Sequence, residues 1–252
     1  MREPLKRAAG ACLSLAPQAR FERCLFLVGH MRCGSTALAN VLCAHPRFSG
    51  YGETHVPYDR PSAPGTLLLN QLHRGRWKPR ATHLFDKLLH DELDAAPPPD
   101  FFTARAIFVS RPPGAAVPSI LRLFRAIGSQ EYATPAEAAV YYARRLSRMR
   151  ALWRSFPAER RIAVRHEDLV ADPAAALERL SRFLRLTPAL TNAYADPRPL
   201  PHGAGDPLAA HRLTAIVLAP TDSPPTPIPD ATIAPAFEAW RSFVATTEDR
   251  AA

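Results

Sequence analysis

The sequence has 252 residues, of which 47% are apolar and 22% are charged. This length and composition suit one α/β domain or two small domains with a substantial core, and they exclude a disordered or fibrous chain. The 27 prolines are about twice the average usage, and ten of them fall between Pro197 and Pro235. We therefore expect this segment to be largely loop, and the regular core to end near residue 190.

The formal net charge is +9, from 32 basic and 23 acidic side chains. A surplus of this size is typical of a protein whose partner is anionic, such as nucleic acid, a membrane surface or a phosphorylated small molecule. A general bias of the composition toward arginine would give the same charge without any such partner.

The cysteines and the apolar runs indicate the cellular compartment in which the protein is expected. No apolar run approaches the roughly 18 residues that a membrane-spanning helix needs, and the apolar patch near the N-terminus is too short for a signal peptide. The four cysteines show no CxxC pairing, which favours free thiols over a zinc site or disulfides. The sequence thus predicts a cytoplasmic protein without a membrane span.

The predicted elements alternate between strand and helix. In chain order they are a strand over 24–28, a glycine-bounded loop over 29–36, a helix over 37–43, an extended segment near 48–51, a helix over 84–93, a strand over 106–110, a helix over 115–127, a long helix from Thr134, a strand over 161–164 and a helix over 173–186. This alternation predicts a P-loop-like, three-layer α/β/α fold with a central parallel sheet. We expect one domain over residues 1–252, with its core at 22–190 and a Pro-rich loop and helix segment at 191–252. The arginines of 144–161 are expected to form one solvated helix face.

The loop after the first strand has the spacing G-x-x-x-x-G-S-T from Gly29 to Thr36. Such a loop presents backbone amides and the positive end of a helix dipole to an anion. Ser35 stands where the nucleotide-hydrolase motif has lysine, and no aspartate ends the strand at 106–110, so an ATPase or GTPase is poorly supported. Arg32 supplies positive charge inside the loop instead.

Three segments resemble sulfotransferases that use 3′-phosphoadenosine-5′-phosphosulfate (PAPS). FLVGHMRCGSTALANVL with the following His-Pro resembles the 5′-phosphosulfate loop, IFVSRPPGAAVPSILRL resembles the 3′-phosphate motif, and VRHEDLVADPAAALERLSRFL resembles a third family segment, with His166 in place of tyrosine. The resemblance covers residues 25–186, and it implies that the following residues bind the donor: Arg32, Cys33, Gly34, Ser35, Thr36, Arg111 and Ser119. Two further departures from the family motifs are Cys33, where serine is usual, and Gly114, where a second arginine is usual.

The position of Arg111 supports this interpretation on physical grounds. An arginine that follows a parallel strand lies at the edge where α/β sheets bind ligands. Ser119, two turns along the next helix, can offer a hydroxyl to the same phosphate.

A second resemblance concerns the reaction itself. Tyr51-Gly-Glu-Thr-His55 is similar to the segment that carries the catalytic glutamate of tyrosylprotein sulfotransferases, and it implies that Glu53 is the general base. A carboxylate near two cations is expected to be ionised at pH 7. Lys87 lies close to where related enzymes have a lysine that contacts the transferred group, although pairing with Asp91 or a competing role for Lys78 is equally compatible with the spacing.

The resemblance therefore implies metal-free, in-line transfer of a sulfuryl group from PAPS to an acceptor hydroxyl, with adenosine 3′,5′-bisphosphate (PAP) as product. Glu53, Arg32 and Lys87 are the implied catalytic residues. A peptide tyrosine is the favoured acceptor because of the spacing of Glu53, and a carbohydrate or a small metabolite is the alternative. Acceptor specificity should lie in residues 56–80, 126–134 and the tail from Asp196, where a loop over residues 202–207 could close on the nucleotide. A basic nucleic-acid-binding protein and an atypical small-molecule kinase are the competing hypotheses, and the sequence does not indicate the oligomeric state.

Overall fold

Five strands form one parallel sheet in the computed structural model, which describes residues 3–194, 214–217 and 227–248. The strands are β1 Cys24–Gly29, β2 Phe48–Ser49, β3 His83–Leu88, β4 Arg105–Ser110 and β5 Arg161–Arg165. Their order across the sheet is β2-β3-β1-β4-β5, so β1 lies between β3 and β4. The predicted central parallel sheet is confirmed.

Helices cover both faces of this sheet. They are α1 Glu3–Leu13, α2 Ser35–Ala44, α3 Ala63–His73, α4 Pro113–Ala126, α5 Pro135–Ser155, α6 His166–Ala171, α7 Pro173–Leu184 and α8 Asp230–Glu248. Short 3₁₀ turns lie at Phe21–Arg23, Asp91–Leu93, Pro99–Thr103 and Ala158–Arg160.

Successive side chains of β1 enter two different cores, because the side chains of a strand alternate between its faces. Phe26 packs into a cluster with residues of α3, α4, α5 and α8. Leu25 packs into a second cluster with residues of α2 and α7. The arrangement is the predicted three-layer α/β/α sandwich.

The predicted helix over residues 84–93 is wrong. Leu84, Phe85, Leu88 and Leu89 are spaced like one face of a helix, but residues 83–88 form β3, followed by the 3₁₀ turn Asp91–Leu93. The strand is favoured because it pairs in parallel with β1 over five consecutive positions, and both of its faces then lie in buried cores.

Helix α5 starts where the sequence predicts. Thr134 and Glu137 form a reciprocal capping box, in which each side chain accepts a hydrogen bond from the other residue's backbone N–H. The prediction that the arginines of 144–161 form one solvated helix face is wrong in part, because Arg145 is buried in α5 and Arg161 is buried at the start of β5. Their guanidinium groups bond instead to carboxylates and backbone carbonyls inside the fold.

Three helices, α1, α3 and α6, have no counterpart among the predicted elements, and α8 falls in the segment at 191–252 for which loop and helix were expected. Helix α1 packs against α3 across the outer face of one helical layer, and neither helix is predicted by the patterns above. Helix α8 lies beyond residue 190, the predicted end of the regular core, and packs against α5. The candidate closing loop at 202–207 lies outside the described residues. Within the described ranges, every helix is too short or too polar to cross a membrane.

Candidate active site

The loop His30–Thr36 joins β1 to α2 at the carboxyl edge of the sheet, and two of its residues have left-handed backbone conformations. Gly34 has a φ of 86°, and a Cβ at this position would lie 2.7 Å from Cδ2 of His166. Arg32 has a φ of 65°, which is uncommon for a residue other than glycine. The loop is thus held in a shape that turns the amides of the first turn of α2 toward the edge of the sheet.

The other loop residues divide between buried and accessible positions. Cys33 and Ser35 are buried as whole residues. Thr36 is partly exposed and bonds to a lysine described below.

The structure brings Arg32, Arg111 and Ser119 together. Nε of Arg32 donates to Oγ of Ser119 at 3.0 Å. Nη1 of Arg111 donates to the carbonyl oxygen of Arg32 at 3.2 Å. The sequence predicted that these residues share a ligand, and the fold places their polar atoms within one hydrogen-bonded group.

This group carries excess positive charge. Arg111 lies just after β4, and burial, together with the charge of Arg32, lowers its pKa. No carboxylate forms an ion pair with Arg111 in the described part of the chain. Two neighbouring guanidinium groups suit a dianionic phosphate.

His30 and Tyr142 hold the backbone of Arg111, and the sequence analysis missed both. Nε2 of His30 accepts from the backbone N–H of Arg111 at 3.0 Å. Burial lowers the pKa of His30 to about 3, so the ring is neutral and its Nδ1–H donates to the carbonyl of Met31 at 2.8 Å. The hydroxyl of Tyr142 donates to the carbonyl oxygen of Arg111 at 2.6 Å. The only sequence signal for either was the presence of His30 inside the glycine loop.

Glu53 and Lys87 form a buried ion pair on the other side of the loop. Nζ of Lys87 lies 2.9 Å from Oε1 of Glu53, and the side chains are 1% and 10% exposed, respectively. The same ammonium group donates to Oγ1 of Thr36 at 3.2 Å. Lys87 therefore connects the candidate base with the phosphate loop.

The two alternatives for Lys87 are not observed. Asp91 forms ion pairs with Arg144 and Arg145 rather than with Lys87. Nζ of Lys78 donates to the carbonyl oxygen of Cys43, at the end of α2 remote from the glycine loop.

Asp86 is a buried carboxylate that sequence analysis missed, because it lies in the segment that was predicted to be helical. It accepts hydrogen bonds from the backbone N–H and the hydroxyl of Thr54 at 3.0 and 2.6 Å. It also accepts from the hydroxyl of Tyr58 at 2.7 Å and from the backbone N–H of Lys87 at 2.9 Å. Burial raises its pKa to about 6. Asp86 thereby fixes the residue after Glu53 and the backbone of Lys87 to one another.

Arg145 joins the ends of two central strands behind the site. Its guanidinium donates to the carbonyl oxygens of Gly29 at 2.8 Å and Leu88 at 2.9 Å. Asp94 neutralises it through a fully buried ion pair of 2.9 Å. This arginine of α5 therefore supports the strand ends from which the loop and the lysine project.

Comparisons with known proteins relate this chain to sulfotransferases. Residues 99–189 match the model of a family described as "Sulfotransferase family". This segment contains Arg111, Ser119 and His166, whereas the glycine loop, Glu53 and Lys87 lie outside it. No curated protein gives a significant sequence match.

Among solved structures, the sulfotransferase domain of the olefin synthase from Synechococcus PCC 7002 is 20% identical, with a TM-score of 0.55 over 86% of this chain and 94% of that chain. Sulfotransferase STF1 from Mycobacterium tuberculosis H37Rv is 18% identical, with a TM-score of 0.49 over 72% of each chain. STF9 from Mycobacterium avium is 14% identical, with a TM-score of 0.47 over 70% of this chain and 68% of that chain. Residues 99–189 of this chain therefore match the sulfotransferase family model, and the chain shares its fold with the olefin synthase domain.

Proposed function

We propose that this chain transfers a sulfuryl group from PAPS to the hydroxyl group of an acceptor, without a metal ion. The observation that carries the proposal is the placement of two groups of side chains on either side of one glycine loop. Arg32, Arg111 and Ser119 form a cationic group suited to a phosphate. Glu53 and Lys87 form a base and a cation beside the first turn of α2.

The first group is assigned to the 3′-phosphate of the donor. Arg111 supplies a guanidinium whose backbone is held by His30 and Tyr142, and Ser119 supplies a hydroxyl. Arg32 belongs both to this group and to the glycine loop, so its charge serves both phosphate ends of the donor. Charge-assisted bonds of this kind are stronger than those between neutral groups.

The second group is assigned to the chemical step. As the acceptor oxygen bonds to sulfur, the bond from sulfur to the 5′-phosphate oxygen breaks, and negative charge develops on that phosphate oxygen. Lys87, Arg32 and the amides of Gly34 to Thr36 stabilise this charge. Glu53 takes the proton from the acceptor hydroxyl, as a general base must lie within reach of the proton that it removes.

A binding experiment tests the donor assignment. PAP should bind at least about tenfold more tightly than AMP, because one charge-assisted phosphate contact contributes about 1.5–3 kcal/mol. Arg111→Ala should remove most of this preference, measured by calorimetry. Arg125→Ala changes an exposed arginine of α4, the helix that follows Arg111, and should leave the preference intact. Equal affinities of the wild-type protein for PAP and AMP would contradict the assignment.

A turnover experiment tests the reaction. Formation of PAP from PAPS is measured with a tyrosine-containing peptide as the first acceptor, because the spacing of Glu53 resembles that of tyrosylprotein enzymes, and then with carbohydrates and hydroxylated metabolites. Turnover should be unchanged when magnesium is chelated. Loss of turnover on chelation would show that the cations of the chain are not sufficient.

A further inference from the structure

A cavity of about 370 Å³ lies beside the segment that carries Glu53. Its wall includes Thr54 and His55, the two residues after Glu53, and residues of α1 and α3. Consecutive Cα atoms are about 3.8 Å apart, so the wall begins next to the candidate base. The volume is at the lower end of the roughly 300–1,000 Å³ that is usual for small-molecule sites.

The wall of this cavity is basic. It contains the cationic side chains of Lys6, Arg60 and Arg74 and the imidazoles of His55 and His73, but no aspartate or glutamate from the described ranges. Arg60 forms an ion pair with Asp59, which lies outside the wall, whereas Arg74 lies over the ring of Tyr51 at 5.2 Å. An anionic group inside the cavity would therefore meet positive charge on several sides.

Two residues of the wall carry buried polar atoms without hydrogen-bond partners in the described part of the chain. These atoms are Nε of Arg60 and Oγ1 of Thr66. Buried donors and acceptors are usually satisfied, and an exception calls for a missing partner. Neither atom is accessible from the cavity, and Oγ1 of Thr66 faces Gly10 of α1, so a ligand would contact the terminal groups of the arginines instead.

His55 connects the cavity with the reaction centre. It has a φ of 54°, a conformation that costs free energy for a residue other than glycine and is concentrated at functional sites. Its ring centroid is 6.4 Å from that of His90. Burial lowers the pKa of His90, and the charge of Glu53 opposes this shift.

We propose that this cavity binds the acceptor, and that the acceptor is a small hydroxylated molecule with a carboxylate or phosphate group held by Arg60 and Arg74. The apolar residues Val56, Pro57 and Leu69 of the same wall then contact the hydrocarbon part between the anionic group and the hydroxyl. This inference rests on the proposed function and selects among its acceptors.

The experiment measures binding of matched ligands by calorimetry to the full chain saturated with PAP. Each of three scaffolds, a phenol, a benzyl alcohol and an aliphatic alcohol, is used with a carboxylate, a phosphate or a neutral amide at its far end. We expect an anionic member of at least one scaffold to bind at least about tenfold more tightly than its amide. The carboxylate and phosphate arms show which anion is preferred.

Three variants locate the effect. Arg60→Gln and Arg74→Gln should each reduce the preference for the anion to less than about threefold, since each removes one charge from the wall. Arg80→Gln removes an exposed charge outside the wall and should leave the preference unchanged. Equal or undetectable binding of the anionic and amide members on every scaffold overturns the proposal, as does a preference that persists in both wall variants.

A failure of this inference can be distinguished from a failure of the proposed function. The affinity for PAP is obtained from the same protein samples and depends on Arg111, which is not part of the cavity wall. A protein that binds PAP but shows no anion preference refutes only the acceptor site. A protein that does not bind PAP refutes the donor assignment, while titration of the same ligands without PAP still tests the cavity.

Discussion

Glu53 and Lys87 show which features of single residues could be predicted from the sequence and which could not. The motif resemblance selected both residues, but it did not predict that they form a buried ion pair of 2.9 Å. That contact depends on β2 and β3 being neighbours in the sheet, and the spacing of residues along a chain does not fix the order of strands. For the same reason, the sequence did not predict that Lys87 also donates a hydrogen bond to Thr36 of the glycine loop.

The first prediction concerns Glu53 as the base. Glu53→Gln keeps the shape of the side chain but cannot accept the acceptor proton, so turnover should fall by about 10²–10⁴-fold. Affinity for PAP should stay within about threefold of wild type, because no contact of the phosphate group is removed. Steady-state kinetics and calorimetry measure the two effects.

Glu92→Gln is the matched control, because Glu92 is an exposed glutamate that follows β3, the strand that carries Lys87. This change should leave turnover and the affinity for PAP unchanged. Near-wild-type turnover of Glu53→Gln with a competent acceptor would contradict the assignment. The search for the base would then move to His55.

A second prediction uses the pH dependence of stability and concerns Asp86. Its pKa is raised by burial to about 6 in the folded protein, above its value of about 3.9 in an unfolded chain. Between these two values the folded state binds more protons than the unfolded state, so Asp86 makes the protein less stable as the pH rises through this range. The loss amounts to about 3 kcal/mol when complete above pH 6.

Asp86→Asn does not titrate and should lack this loss. The difference in unfolding free energy between the variant and wild type, measured in urea from pH 4 to pH 7, should therefore shift in favour of the variant. Turnover of the variant should nevertheless fall, since the amide cannot accept all the hydrogen bonds that hold Thr54 and Lys87. A pH-independent difference would show that Asp86 does not titrate with a raised pKa.

At the level of elements, β3 explains the main error of the sequence analysis. A buried strand usually reads as a nearly continuous apolar run, but β3 carries Asp86 and Lys87 in its interior. Residues from another part of the chain stabilise both charges: Thr54 donates hydrogen bonds to Asp86, and Glu53 forms an ion pair with Lys87. The apolar strands β1 and β4 have no such interruption, and the sequence predicted both.

The third prediction concerns the contact between α1 and α3. A Cβ on Gly65 would lie 1.9 Å from the backbone oxygen of Gly10, so the two helices approach more closely than any side chain would allow. Gly65→Ala should therefore force α1 away from α3 and destabilise the protein by about 1–3 kcal/mol, as overpacking does. Urea unfolding measures the change.

Gly114→Ala provides the comparison for Gly65→Ala. Gly114 also lies in a helix, but its Cβ would meet only Phe237 at an ordinary 3.5 Å. This change should be neutral or stabilising by up to about 1 kcal/mol, because alanine favours the helix more than glycine does. Equal effects of the two substitutions would mean that the contact between α1 and α3 is not tight.

At the level of the whole molecule, the alternation of strands and helices was sufficient to predict the parallel three-layer fold, but not the extent of its core. The high proline content after residue 190 obscured α8. This helix packs against α5 and places Phe243 in the core, with its ring centroid 6.4 Å from that of Phe108 in β4. Composition describes a segment on average and does not reveal one helix at its end.

The last prediction tests whether α8 belongs to the same cooperative unit as the sheet. Phe243 is 1% exposed, and Phe243→Ala should lower the free energy of unfolding by about 3–5 kcal/mol, the usual cost of removing a buried phenylalanine. Arg241→Ala, an exposed position on the same helix, should change it by less than about 0.5 kcal/mol.

The form of the transition distinguishes one domain from two. If residues 1–252 form one domain, urea transitions followed by far-UV circular dichroism and by tryptophan fluorescence should coincide in wild type and shift together in Phe243→Ala. If α8 unfolds separately, the variant should show an early transition in helical content. In a Trp240→Phe background, which removes the tryptophan of α8, the remaining fluorescence, including that of Trp153 packed against Phe108 in the sheet, should keep the wild-type midpoint. Separate unfolding of α8 would restrict the cooperative core to the residues before 190 and contradict the single-domain prediction.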